Sequence, residues 1–114
     1  MNTRSQGEKA AKQRKRKFDI LRTLKIPPEA LPGSLALTYR KCGKPTCRCA
    51  RGEGHPQWLL TFMAGGKKRV EWIPIDWAEE VRRQVEAGRK FKDDVSEVFL
   101  ANAELLALRR RQRQ

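Results

Sequence analysis

The stretch LALTYRKCGKPTCRCARGEGHPQWLLTFMAGGKKRVEWIPI, residues 35–75, alternates three apolar runs with two turn-rich ones. Leu35 to Arg40 reads as a strand that leads into the first cysteine. Residues 42–56 hold Gly43, Pro45, Gly52 and Gly54 ahead of Pro56, so a compact loop is expected there rather than a helix or strand. Trp58 to Met63 reads as a second strand. Gly65-Gly66 supplies the positive φ that a hairpin turn needs. Arg69 to Ile75 reads as a third strand, with Val70, Trp72 and Pro74 on one face. Three short antiparallel strands interrupted by a cysteine-rich loop is the expected centre of the molecule.

Working outward, Asp76 is a plausible helix cap with Glu79 three residues on. From Trp77 to about Leu108 apolar residues recur three or four apart: Trp77, Val81, Val85, Gly88, Phe91, Val95, Val98, then Asn102 and Leu105. The pattern predicts one long helix, or two broken near Gly88. An unbroken helix of that span reaches roughly 45 Å, longer than so small a sheet is wide, so its apolar face needs a helical partner. The candidates are a helix over residues 17–26, a folded-back second half, or a second copy of the chain, which would make 77–108 a homodimer seam. On the N-terminal side, KFDILRTLKI (17–26) predicts a short helix stopped by Pro27-Pro28, and PPEALPGS is a turn. Residues 1–15 lack apolar periodicity and read as a disordered basic arm. The expected plan is an arm over 1–15, a zinc-knuckle β domain with its short helix over 16–75, and a long helix with a basic tail over 76–114. The fold class is α+β.

The chain has 114 residues, with 26 Lys and Arg against 13 Asp and Glu, a formal charge of +13. That length excludes a large enzyme core. No run approaches the roughly 20 apolar residues of a membrane span. The N-terminus is charged without an apolar core, so an export signal is not expected and a reducing cytoplasm is. The positive excess falls on the first two thirds: residues 1–25 carry nine basic and two acidic side chains, 26–75 eight and three, and 76–114 nine and eight.

All three cysteines lie within eight residues, at Cys42, Cys47 and Cys49, and the single histidine follows at His55. An odd, clustered set suits a metal better than a disulfide framework. Structural zinc takes four tetrahedral N or S ligands, and Cys3His is one of its usual sets. Lys41, Lys44, Arg48 and Arg51 surround the thiols and favour their ionised form. The expected cofactor is Zn2+ held by Cys42, Cys47, Cys49 and His55. Four protein ligands leave no water position, so catalysis by the metal is disfavoured. An iron–sulfur cluster or a redox thiol pair would draw on the same sulfurs. Ordinary reduced cysteines beside a surface histidine are the plain alternative.

GSLALTYRKCGKPTCRCARGEGHP (33–56) resembles an uncharacterised family of small bacterial and archaeal proteins. Its pattern runs Gly-Ser-Leu, then Tyr-Arg-x-Cys-Gly-Lys-x-x-Cys-x-Cys-x-x-Gly-x-x-His-Gly-Pro-Tyr. Cys42, Gly43, Lys44, Cys47, Cys49, Gly52 and His55 fall on that pattern. After the histidine the chain departs from it, reading Pro56-Gln57-Trp58. The resemblance implies a strand hairpin and helical tail after the loop. Such proteins are often met beside transposase-like genes, which implies a mobile-element setting.

Arg40, Lys41, Lys44, Arg48, Arg51, Lys67, Lys68 and Arg69 flank the loop and the hairpin tip and could share one face. A field of this sign attracts polyanions, of which nucleic acid is the commonest. Nucleic-acid binding through backbone charge is therefore the expected function, with DNA favoured over RNA by the mobile-element setting. A solvated basic surface is the plain alternative. Tyr39, Trp58 and Trp72 could stack on unpaired bases, but strand aromatics are more often core, and Trp77 also reads as core. No catalytic set is recognisable, so an enzyme is not expected. The rival reading is a protein–protein adaptor that works through the long C-terminal helix.

Overall fold

A computed structural model describes residues 3–113. Met1 and Asn2 of the expected arm, and Gln114 of the tail, lie outside the described residues. The chain divides into two compact units, one of residues 28–89 and one of residues 3–27 with 90–113.

The first unit holds β1 (Ser34–Arg40), β2 (His55–Ala64) and β3 (Lys67–Ile73), an antiparallel sheet in the order β1-β2-β3. A 3-10 turn (Ile75–Trp77) leads into α2 (Ala78–Gln112), whose residues 78–89 belong to this unit. The pleat sorts the sheet into two faces, because directly paired residues point the same way. Leu35 pairs Leu60, and Phe62 pairs Arg69. Leu35, Leu60, Phe62 and Ile73 pack with Val81, Val85 and Leu31 in the core, so their face is the one α2 covers. Ala36, Leu59 and Trp72 form a row on the opposite, outer face, with Val70, Met63 and Lys68 beside it.

Val70 and Trp72 do share a face, but it is the outer one. Tyr39, Trp72 and Trp77 are all exposed, which corrects their reading as core. Trp58 is half-buried. The third strand ends at Ile73, before Pro74, which has no N–H to give the ladder. The second begins earlier than its apolar run, at His55. Pro56 is tolerated there because β3 pairs only from Trp58 onward, leaving that stretch of β2 with one neighbour.

Gly88 does not break α2. The segment before β1 lies against it. The Leu31 N–H donates to the Gln84 carbonyl at 3.0 Å, and a Cβ on Gly88 would stand 2.3 Å from the Leu31 carbonyl oxygen. The glycine in the middle of the apolar stripe is thus the place where another backbone crosses the helix.

The second unit holds α1 (Thr3–Thr23) and residues 90–112 of α2. Gln6 and Ala10 are buried on α1, and Val98, Ala101 and Leu108 on α2. Arg16 pairs with Glu97 at 2.9 Å, and Lys17 donates to Asn102 at 3.0 Å. The partner that the α2 stripe needs is therefore the N-terminal helix. From Thr3 onward the expected disordered arm is helix, which corrects that reading. The segment contains Ala10, Ala11, Gln13 and many Lys and Arg, all good helix formers that show no apolar period. A Lys15–Asp19 pair one turn apart adds to it. The helix stops at Thr23, so Leu24 and Ile26 lie beyond it.

Candidate metal centre

Pairing of β1 with β2 sets the mouth of the site. Arg40 stands opposite His55, so Cys42, two residues past the end of β1, is brought next to the first residue of β2. Residues 41–54 project from that end of the sheet and fold on themselves. The Cys47 N–H donates to the Lys44 carbonyl at 3.1 Å and the Ala50 N–H to the Cys47 carbonyl at 3.1 Å. The second of these opens a 3-10 turn, Arg48–Arg51, which carries Cys49 inward.

The ligand atoms of Cys42, Cys47, Cys49 and His55 all lie within 4.8 Å of one another. Cys42 Sγ is 3.4 Å from Cys49 Sγ, and Cys47 Sγ is 3.2 Å from His55 Nε2. A tetrahedral zinc with sulfurs at 2.3 Å places them about 3.8 Å apart, so the four groups fit one ion without rearrangement of the backbone. Cys49 is buried, Cys47 half-buried, and Cys42 and His55 exposed. The Cys42 N–H points at Cys49 Sγ, 3.3 Å away, an arrangement that supports a charged sulfur. The Cys42 thiol is pulled down to about 6, first by a backbone hydrogen bond at Lys44 and then by Cys49, His55 and Cys47. At neutral pH it is the thiolate that a metal requires. At Cys49 the Cys42 N–H pulls the thiol down, but burial and the neighbouring Cys42 and Cys47 push it up overall. Four predicted ligands thus form one cluster capable of coordinating a metal ion.

Gly54 directly precedes His55 and turns the chain, as expected of the loop glycines; what the sequence does not show is its close approach to Arg40. Its φ is +99°, and a Cβ there would lie 2.7 to 3.0 Å from the backbone of Arg40. Gly54→Ala is expected to destabilise the sheet unit by about 2 kcal/mol or more and to weaken metal retention, because strain and clash act together. Thermal melts and competition with a chromophoric chelator measure both effects.

The eight basic residues do not gather on one face. Arg40 ends β1, and Lys41, Lys44, Arg48 and Arg51 ride on the metal loop. Lys67, Lys68 and Arg69 begin β3 at the far end of the sheet, a strand's length of roughly 30 Å from the loop. The pleat sends Lys68 to the outer face and Lys67 and Arg69 to the other. Arg69 is engaged with Glu71 at 2.6 Å and lies over the Phe62 ring. Lys41 reaches back to the Ala50 carbonyl at 3.5 Å and braces the loop. Among the described residues, Arg40, Lys44, Arg48, Arg51, Lys67 and Lys68 make no ion pair, whereas Arg82 of α2 pairs with both Glu79 and Glu86.

Fold and site together define a small α+β protein with a Cys3His cluster built at one end of a three-stranded sheet. The chain belongs to the family described as a domain of unknown function (DUF6788), whose family model matches residues 8–83. The matched span contains the whole cluster, the sheet and the first turns of α2. No curated protein and no solved structure matches the chain significantly. Among the described residues no helix is long and apolar enough to cross a membrane.

Proposed function

We propose that this protein binds nucleic acid, DNA in preference to RNA, through a basic loop held rigid by structural Zn2+. The observation that carries the reading is the set of unpaired cations on and around the metal loop. Residues 34–73 carry eight basic side chains and two acidic ones, a net charge of +6. Elsewhere in the same unit the balance is acidic, three basic side chains against five acidic ones, and Arg82 is paired with two glutamates. Cations left without partners on a loop fixed by a metal are positioned for phosphate before the ligand arrives, which lowers the ordering cost of binding. Zinc here is structural, and no residue is assigned a catalytic role.

The test is fluorescence anisotropy of the zinc-loaded chain with duplex DNA, single-stranded DNA and RNA at two salt concentrations. The expected result is tight binding at low salt with a steep fall as salt rises. Weak binding to all three at low salt would leave the charge as a solubilising surface.

A second reading rests on a different surface. Phe99 and Leu106 of α2 are each 66% exposed, and Leu106 lines a shallow groove with Ala103, Ala107, Arg110 and Arg111. That face favours an adaptor role or a homodimer. Sedimentation of the full chain with and without Leu106→Ser separates the homodimer from a monomer.

A further inference from the structure

We propose that the outer face of the sheet, centred on Trp72, is a stacking platform for unpaired bases of single-stranded DNA. This rests on the nucleic-acid reading and names the form of nucleic acid that the protein takes. Trp72 is 60% exposed although it lies opposite Leu59 in the middle of β2, where a large aromatic is ordinarily buried. It forms one wall of a groove of about 260 Å³, whose other walls are Arg40, Cys42, His55, Pro56 and Gln57. That is below the range of drug-sized pockets and suits one planar base. Cys42 and His55 are metal ligands, so the metal fixes one side of the groove. Gln57 offers an amide to a base edge, and Arg40 offers a cation to the adjoining phosphate.

The charge pattern selects the occupant. Arg40 stands at one end of the outer face, beside the loop that carries Lys41 and Lys44, and Lys68 near the other, with Trp72 between them. Glu71 points to the opposite face and is engaged by Arg69. A second copy of this chain, itself at +13, would bring like charges together here. A polyanion that also carries flat apolar groups satisfies both features. Duplex DNA hides those groups within its own stack, whereas a single strand presents them. Across the sheet from Trp72 lie Leu59 and then Ala36, an apolar floor, with Thr38 and Gln57 on the same face toward the loop. The choice of DNA over RNA is carried by the proposed function.

The experiment measures zinc-loaded full-length protein, wild type, Trp72→Leu and Trp72→Phe, by anisotropy with labelled oligo(dT), oligo(U) and a DNA duplex at one fixed salt concentration. Zinc content and circular dichroism report the fold of each variant. Trp72→Leu is expected to lose about tenfold or more in affinity for oligo(dT) while duplex affinity stays unchanged, and Trp72→Phe to recover most of the loss. Tryptophan fluorescence quenching on oligo(dT) binding should disappear with Trp72. Equal affinity of the folded Leu variant and wild type for oligo(dT) would overturn the platform while duplex binding survives. A Trp72-dependent preference for oligo(U) would overturn the assignment to DNA. No binding by wild type to any of the three would remove the nucleic-acid reading itself.

Discussion

Replacing Cys49 by Ser, or stripping the metal with a chelator, is expected to unfold the sheet unit as a whole rather than loosen one loop. The buried part of its core cluster is small: Leu60, Val81 and Val85, with Leu31, Leu35, Phe62 and Ile73 only partly covered. Domains of this size bury too little surface to be secure without a staple. Structural zinc in finger peptides contributes on the order of 10–16 kcal/mol of apparent binding energy at neutral pH, much more than a core of this kind could replace. Cys49 is the ligand to remove, since it is 6% exposed and joins the 3-10 turn to Cys42. The outer half of β2 feels the loss directly, because His55 is both ligand and strand residue. We expect one equivalent of zinc in the purified chain, almost none in Cys49→Ser, and loss of amide protection in β1 and β2 of that variant. A colourless protein distinguishes zinc from an iron–sulfur cluster, which absorbs visible light. A metal-free Cys49→Ser protein that kept wild-type melting and protection would overturn the structural role.

The Cys3His cluster could be read from the sequence because its chemistry is local: three thiols and the sole histidine fall within one Gly- and Pro-rich loop. The three strands were legible for a similar reason, since their apolar runs are bounded by glycine and proline. Facing was harder. Val70 and Trp72 obey the period of a strand, but period alone does not say which face a helix will cover, and here α2 covers the one carrying Leu35, Leu60 and Ile73. The first half of the N-terminal helix, unlike the stretch from Lys17, escaped a reading based on apolar periodicity because its buried residues include Gln6 and Ala10, neither of which marks a hydrophobic stripe. Propensity, rather than periodicity, carries that signal. The sequence left open whether the long helix broke near Gly88; it runs through, and Gly88 is a crossing point, since what it accommodates is the Leu31 carbonyl, distant in sequence and invisible to any local pattern. The clustering of cations was overestimated because sequence proximity to a hairpin says nothing about which end of the sheet that hairpin occupies.

Reversing charge at Lys44, Arg48 and Arg51 together, each to Glu, is expected to lower duplex or single-strand DNA affinity about a hundredfold at low salt. Each phosphate contact contributes a counterion-release slope of about 0.9 on duplex and 0.7 on single strands, so the salt dependence should flatten by two to three. All three residues are exposed on the loop that the metal holds, and none has an ion partner whose loss would disturb the fold. Zinc content and melting temperature should therefore remain near wild type, which separates this variant from Cys49→Ser. Arg82→Glu is the matched control: it adds the same charge change per site to the same unit, but at a residue already satisfied by Glu79 and Glu86. A general electrostatic effect would weaken binding equally per charge in both variants, whereas a positioned contact surface makes the loop far the more sensitive. The adaptor reading predicts the reverse ordering. There Leu106→Ser abolishes function with DNA affinity intact, and the loop variant, still folded and metal-bound, retains it. The two surfaces lie in different units of the molecule, so the two sets of substitutions can be made without one confounding the fold of the other.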